Sequence, residues 1–214
     1  MKRLAIMMLE KIINKYLEDI PISAIRLEET RMSTKEGWSG QSIESFPPYQ
    51  FFKIYIKGNK ERAISSFEQW YFKRLIKDRQ YVVAKAEGGM RGGSLYRLIA
   101  KLHYAKGIKL KSNLSNADEM LIHQGIEKRV LDRFALLDSI RSNGYYCSWD
   151  YIRVKKESDS YTLEQGNHRV AALALCGYTS VMAATSHPIP LIVATRIVRF
   201  LLKKKKDYHL QINQ

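Results

Sequence analysis

The sequence predicts an α+β or α/β fold, with helices set around a small group of strands, and three observations carry that reading. After Gly144 three short runs alternate in strand fashion, "YIRVKK", "SYTLEQ" and "SVMAAT". Between the second and third lies an Ala-rich stretch over residues 170–175, closed by Cys176 and Gly177, with the texture of a short helix. Before residue 116 the apolar residues recur mostly at helical spacing.

Taken in order, Leu4, Met8, Ile12 and Leu17 predict an amphipathic opening helix that ends before Pro21, because proline removes a donor and clashes with the preceding turn. Residues 28–48 show no clear period and finish in Pro47 and Pro48, which reads as a loop or linker. In "YQFFKIYIKGN", Phe51, Phe52, Tyr55 and Ile56 share a helical face, whereas Phe52, Ile54 and Ile56 alternate as in a strand. Pro48 at a first-turn position and Gly58 at the end favour the helix. Ala63, Ile64, Phe67, Trp70, Tyr71, Leu75 and Ile76 then line one side of a helix over residues 60–77. Gly88, Gly89, Gly92 and Gly93 follow, with Ser94 placed to cap a helix running to about Lys106. Such a loop either cradles phosphate or is a flexible connector; the GK[ST] ending of a P-loop is missing.

Ser115 or Asn116 starts a pattern through Met120, Ile122, Ile126, Val130, Phe134, Leu137 and Ile140 that stops at Asn143 and Gly144. Gly125 interrupts it, so the spacing fits one long helix or two that meet near residues 125–129. From Pro190 the tail "LIVATRIVRFLLKKKK" resumes an apolar and basic pattern. The expected division is a mainly helical extension over residues 1–116, an α/β domain over 117–189, and a basic amphipathic helix and tail over 190–214.

At 214 residues with 45% hydrophobic content, the chain can bury one full core, or one core and a small helical annex. Thirty-six Lys and Arg against 21 Asp and Glu leave a net charge of +15, which favours nucleic acid, nucleotides or an acidic membrane surface. Arg196, Arg199 and the lysines at 203–206 supply six of those charges with no acid among them. Cys147 and Cys176 form no CxxC and have no His cluster beside them, which argues against structural zinc and suits a reducing, cytoplasmic setting. The N-terminus mimics a secretory signal from Leu4 to Leu9 until Glu10 and Lys11 interrupt it. No apolar run reaches the roughly 18 residues of a membrane span.

The chemistry concentrates in "LEQGNHRVAALALCGY", residues 163–178. Leu163 ends a strand, Gly166 supplies a turn, and the helix begins near Asn167 or His168. One reading is structural: Asn167 caps the helix and Arg169 is solvated. The other is functional, because a helix N-terminus beyond the carboxyl end of a strand is where α/β folds hold anions. His168 and Arg169 add two side chains able to donate to phosphate, the Arg in bidentate fashion.

Residues 136–183 resemble the core of the ParB N-terminal and sulfiredoxin superfamily over about a quarter of the chain. Leu137, Ser139, Ile140, Gly144, Ile152, Val154, Gly166, Arg169, Ala172, Gly177 and Val181 match its pattern in order and spacing across five consecutive elements. The resemblance implies a small mixed sheet with helices, and a G-x-x-R turn seated on nucleotide phosphates. Gly166, Asn167, His168 and Arg169 would then form the phosphate cradle for a nucleoside triphosphate or diphosphate with Mg2+. Arg169 would counter charge, and His168 would contact phosphate or move a proton. Asn167 stands where sulfiredoxins place a reactive Cys, so sulfinic-acid reduction is not implied, and Cys176 fits an inert thiol near the helix end. Partition proteins continue with a helix-turn-helix and a dimerisation region, whereas about 30 residues follow Ala184 here. A helical extension before a terminal ParB-like domain resembles uncharacterised proteins encoded in polysaccharide or small-molecule biosynthesis clusters.

A small-molecule kinase or NTPase of this kind needs, besides the cradle, a carboxylate for metal, a base near the acceptor and exclusion of water. Glu164 is the nearest acid, and Asp138 and Asp150 are more distant candidates; each also fits a surface or capping carboxylate. Trp70, Tyr71, Tyr96 and His103 either face an unknown small-molecule acceptor or pack in a core. The competing class is a non-catalytic nucleic-acid-binding or regulatory module, favoured by the net charge and by 13 Tyr available for stacking. The C-terminal helix itself fits three roles: nucleic-acid contact, an interfacial helix on anionic lipid, or simple packing with solvated lysines.

Overall fold

The computed structural model of the chain describes residues 2–28, 37–73, 116–145, 151–186 and 188–203. In chain order the elements are α1 (Lys2–Asn14), β1 (Glu18–Pro21), β2 (Ile25–Leu27), α2 (Pro47–Ile56), α3 (Lys60–Phe72), α4 (Asn116–Asn143), β3 (Ile152–Lys156), β4 (Tyr161–Gln165), α5 (Asn167–Leu175), β5 (Ser180–Ala184) and α6 (Ile189–Lys203). The class is α+β, as the alternating runs and helical periods predict. No helix among the described residues is long and apolar enough to cross a membrane.

The five strands form one mixed sheet in the order β1-β5-β3-β4-β2. The β1–β5 and β3–β4 pairs are antiparallel, and the β3–β5 and β2–β4 pairs are parallel. Register explains why one face is so well filled. Ile20 pairs with Val181, Ala183 with Ile152, Val154 with Leu163, and Leu163 in turn with Leu27. Cross-strand partners share a face, so these residues make an apolar stripe from edge to edge, and every one of them is buried. On the other face, Met182 and Ala184 of β5 meet a cluster in which Ile6 and Ile13 of α1 lie against Leu191, Ala194 and Val198 of α6.

Two of the five strands come from the segment expected to be a helical extension, so the expected boundary between residues 116 and 117 gives way. The opening helix stops at Asn14, and residues 18–27 supply both edge strands. The chain divides instead into one unit of Met1–Phe52 with Leu136–Gln214 and a second of Lys53–Ala135, with α2 and α4 both running through the boundary. β1 and β2 are four and three residues long and are separated by a 3-10 turn, Ile22–Ala24. Runs that short carry no readable alternation. Pro21, which cannot donate to a ladder, is tolerated because β1 lies at the sheet edge.

Helix ends follow local chemistry. Gly177 closes α5 with φ 85°, its N–H donating to Ala174 at 3.2 Å while that of Tyr178 donates to Leu173 at 3.1 Å, the paired bonds of a Schellman end. Gly58 and Asn59 close α2 in the same way, which bears out the helical reading of that segment. Asn59 also caps α3, its Oδ1 accepting from the Arg62 N–H at 3.3 Å. α4 is a single helix through Gly125, which decides between the two alternatives above.

In the second unit Tyr55 stacks on Phe134 at 4.4 Å between ring centroids, and Phe67 meets the same ring edge-on at 5.9 Å. Tyr71 is buried there, accepting from Arg129 Nη1 at 3.1 Å, and Trp70 packs edge-on against it. Tyr71 is thus a core residue of that unit, and Trp70 is half-buried beside it. Tyr96, His103, the glycine loop with Ser94, Cys147 and the lysines at 204–206 lie outside the described residues.

Candidate functional site

The site begins with an irregularity in β4. Arg153 pairs with Gln165 but Val154 pairs with Leu163, so Glu164 is the extra residue of a β-bulge. A bulge bends its strand and re-aims the side chain that it carries. Here Glu164 Oε2 accepts from Arg153 Nη2 at 3.1 Å in a partly exposed pair. The chain then turns at Gly166, whose φ of 108° and ψ of 16° lie in the left-handed region, and α5 starts at once with Asn167.

Gly166, not Asn167, is therefore the capping position, and it has no side chain with which to occupy the helix end. The carbonyl of Gly166 accepts the first helical bond from the Val170 N–H at 2.9 Å. The first N–H groups of a helix have no intrahelical acceptor, and with the helix dipole they make its start a region of positive potential. The Asn cap expected under the structural reading is absent because a glycine that takes the left-handed turn also takes the cap position.

Arg169 departs from expectation as well. It is only 8% exposed, one of the few buried polar side chains among the described residues, and so is not the solvated arginine of the structural reading. Its guanidinium folds back under the turn: a Cβ placed on Gly166 would stand 3.6 Å from Cζ and Nη2 of Arg169, and 3.1 Å from Cγ1 of Ile152. The guanidinium thus places its positive charge directly behind the helix start. His168 is half-buried with its Nε2 enclosed, and its ring lies edge-on to Phe46 at 5.3 Å.

Phe46 and its neighbour Trp38, at 5.4 Å edge-on, belong to the segment that sequence periodicity leaves as a linker. That segment is tied down. The Leu27 N–H donates to Gln41 O at 2.9 Å and the Gly40 N–H to Leu27 O at 3.0 Å, which anchors it to the end of β2. Because β2 runs parallel to β4, its carboxyl end lies on the same side of the sheet as Gly166. The structure thus gathers Glu164, Gly166, Asn167, His168 and Arg169 and adds Arg153, Phe46 and Trp38, which the sequence reading missed. Alternation along β3 could have raised Arg153, whereas nothing in an aperiodic loop marks Phe46.

Of the two more distant candidate carboxylates, Asp138 falls elsewhere. Asp138 lies on α4 and pairs with Arg141 at 4.0 Å, and Asp150 is outside the described residues. Cys176 is a free thiol at the far end of α5, where burial pushes its pKa up against a smaller lowering effect of Arg141. That is the reverse of what a reactive cysteine needs. For Mg2+, the donor set at the turn among the described residues is one carboxylate, Glu164, already engaged by Arg153. This fits the usual mode in which the ion takes one or two protein carboxylates and the phosphates of its nucleotide. No family model, characterised protein or solved structure matches the chain.

Proposed function

We propose that the chain binds a nucleotide through residues 166–169 and is a ParB/sulfiredoxin-like, NTP-dependent phosphotransferase acting on a small molecule, or an NTPase. The observation that carries this reading is the start of α5: a left-handed glycine with no capping side chain, backed by the buried charge of Arg169. Gly166 lets the backbone approach a phosphate, and the N–H groups of Asn167 and His168 donate to it. Arg169 offsets its charge from behind the turn. His168, the imidazole at the same end, holds a phosphate oxygen or moves a proton to or from the acceptor. Glu164 serves as the carboxylate toward Mg2+ or as a base, once released from Arg153. Mg2+ bound with the phosphates would neutralise developing charge. Phe46 and Trp38 exclude water on one side. A cytoplasmic setting, inferred from two cysteines without a CxxC, belongs to the same proposal.

The test is a thermal-shift panel of ATP, ADP, CTP and GTP with Mg2+ on wild type, His168→Ala and Arg169→Ala. A ligand at about 100 times its dissociation constant adds roughly 2.7 kcal/mol, worth about 5–10 °C in a chain of this size. The expected result is a rise with one nucleotide class that both variants abolish. No shift with any nucleotide, or a shift that both variants retain, overturns the reading.

A second reading, a nucleic-acid-binding or regulatory module, has one observation of its own. Register sets Arg26, Thr162 and Lys155 in a row across β2, β4 and β3, on a chain of net charge +15. Such a surface would bind with steep salt dependence and would be indifferent to His168→Ala, which separates it from the first reading.

A further inference from the structure

Nine large apolar side chains are exposed among the described residues, and seven of them lie on α1 and α6. These two helices already spend one apolar stripe each on their shared cluster, Ile6 and Ile13 against Leu191, Ala194 and Val198. At about 100° per residue, Leu4, Met8 and Ile12 fall on the side of α1 turned away from that cluster, with Met7 beside them. Ile189, Val193 and Ile197 repeat the arrangement on α6 at four-residue spacing, Ile189 being 76% exposed. A helix on the surface of a globular protein needs only the first stripe.

Charge says what covers the second. Lys11 is exposed on the same side of α1, Lys15 follows at its end, and Arg196 is exposed next to Ile197 on α6. Glu10 is the one acid on the two helices, and beyond Lys203 the sequence adds three more lysines. A second copy of the chain would bring up a surface of the same sign, whereas anionic lipid presents the opposite one. Lying along a surface also suits the helix: the 15 described residues of α6 reach about 22 Å, short of a hydrocarbon core of about 30 Å.

We infer that the α1–α6 face docks on an anionic membrane surface, the stripes Leu4–Met8–Ile12 and Ile189–Val193–Ile197 entering the headgroup boundary and Lys11, Lys15 and Arg196 meeting lipid phosphates. This goes beyond the nucleotide site and is independent of it.

Flotation of the full chain with vesicles tests it, using phosphatidylcholine alone and phosphatidylcholine with about one third phosphatidylglycerol, at about 0.1 M salt. Wild type is expected to float with the anionic vesicles only and to be released as salt is raised. Met8→Glu/Ile197→Glu, both at exposed positions, is expected to lower the bound fraction at least about tenfold with an unchanged Tm. If that variant proves less stable, Val193→Ser removes apolar contact without adding charge and is read in its place, with the same direction expected. Failure of wild type to float with anionic vesicles overturns the proposal, and so does flotation that the variants leave unchanged. A wild-type dimer in sedimentation equilibrium that the same variants dissociate assigns the face to a second copy and overturns it as well.

Discussion

Replacing Gly166 by alanine probes the turn on which the candidate site depends, and the expected loss has two parts. The first is conformational: at φ 108° an L-residue brings its Cβ against its own backbone, a cost of about 1–2 kcal/mol. The second is contact. The new Cβ would stand 3.1 Å from Cγ1 of Ile152, a residue with no exposure on the central strand of the sheet, and 3.6 Å from the Arg169 guanidinium. Ile152 has to give by a few tenths of an ångström inside a packed layer, which puts the overpacking cost near the low end of its range, about 1 kcal/mol. Gly166→Ala should therefore destabilise by about 2–3 kcal/mol. Gly177 at the other end of α5 is the internal reference. Its φ is 85°, yet an added Cβ meets nothing within 4 Å, so Gly177→Ala carries only the conformational part, about 1–2 kcal/mol. Urea denaturation followed by circular dichroism measures both through their midpoints at a common slope. Equal losses in the two variants would refute the crowding between Gly166 and Ile152, and no loss in either would refute the left-handed turns themselves.

Two further expectations rest on titration. Burial raises the pKa of Glu68, with Glu127 adding to the rise and His123 opposing it, so the folded state favours its proton. The stability this contributes is fully present below the ordinary carboxylate range, about pH 4, and is lost as pH rises through the raised value. Glu68→Gln should accordingly raise Tm slightly at pH 7, with a gain that disappears when the melts are repeated below about pH 4; a gain that is independent of pH would sink the electrostatic account. For Cys176, burial holds the thiol above its usual range, so in a Cys147→Ser background its alkylation at neutral pH should be slower than in the unfolded chain, and should quicken as pH is raised. Alkylation as fast as that of the unfolded chain would contradict the half-buried placement.

What the sequence makes legible follows from how many residues each signal has to work with. β3, β4 and β5 are each five residues long, and the first two are bounded by turn residues; their runs are visible as strands. β1 and β2 leave too few alternations, and Pro21 together with a helical opening pulls the same segment toward the wrong class. Their absence from the reading is what puts the boundary at residue 116, since a sheet of three strands needs nothing from the N-terminus and a sheet of five does. Long apolar periods fare better: the C-terminal end of α4 reads correctly because Asn143 and Gly144 stop it, the Gly144 N–H closing on Ile140 O at 3.0 Å.

The site is harder to read because its geometry lies in pairing, which no single strand reveals. Without the bulge, Val154 opposite Leu163 would set Arg153 opposite Glu164 and Ile152 opposite Gln165. The extra residue advances β4 by one, so that Arg153 faces Gln165 and the next place, opposite Ile152, falls to Gly166. That is the position where a Cβ would come to 3.1 Å of Ile152, and where the chain must also take a left-handed turn to start α5. Bulge and glycine are thus one device. The bulge delivers the chain to Ile152 one residue later than regular pairing would, and only a residue without a side chain can both pass there and leave the helix end unoccupied. The guanidinium of Arg169 then lies against the same glycine, where an added Cβ would meet it in ordinary van der Waals contact at 3.6 Å. Regular rules of strand pairing, capping and charge exposure all fail within the six residues 164–169, and they fail in a mutually dependent way. This concentration is what is expected where a fold serves a ligand and not only its own stability.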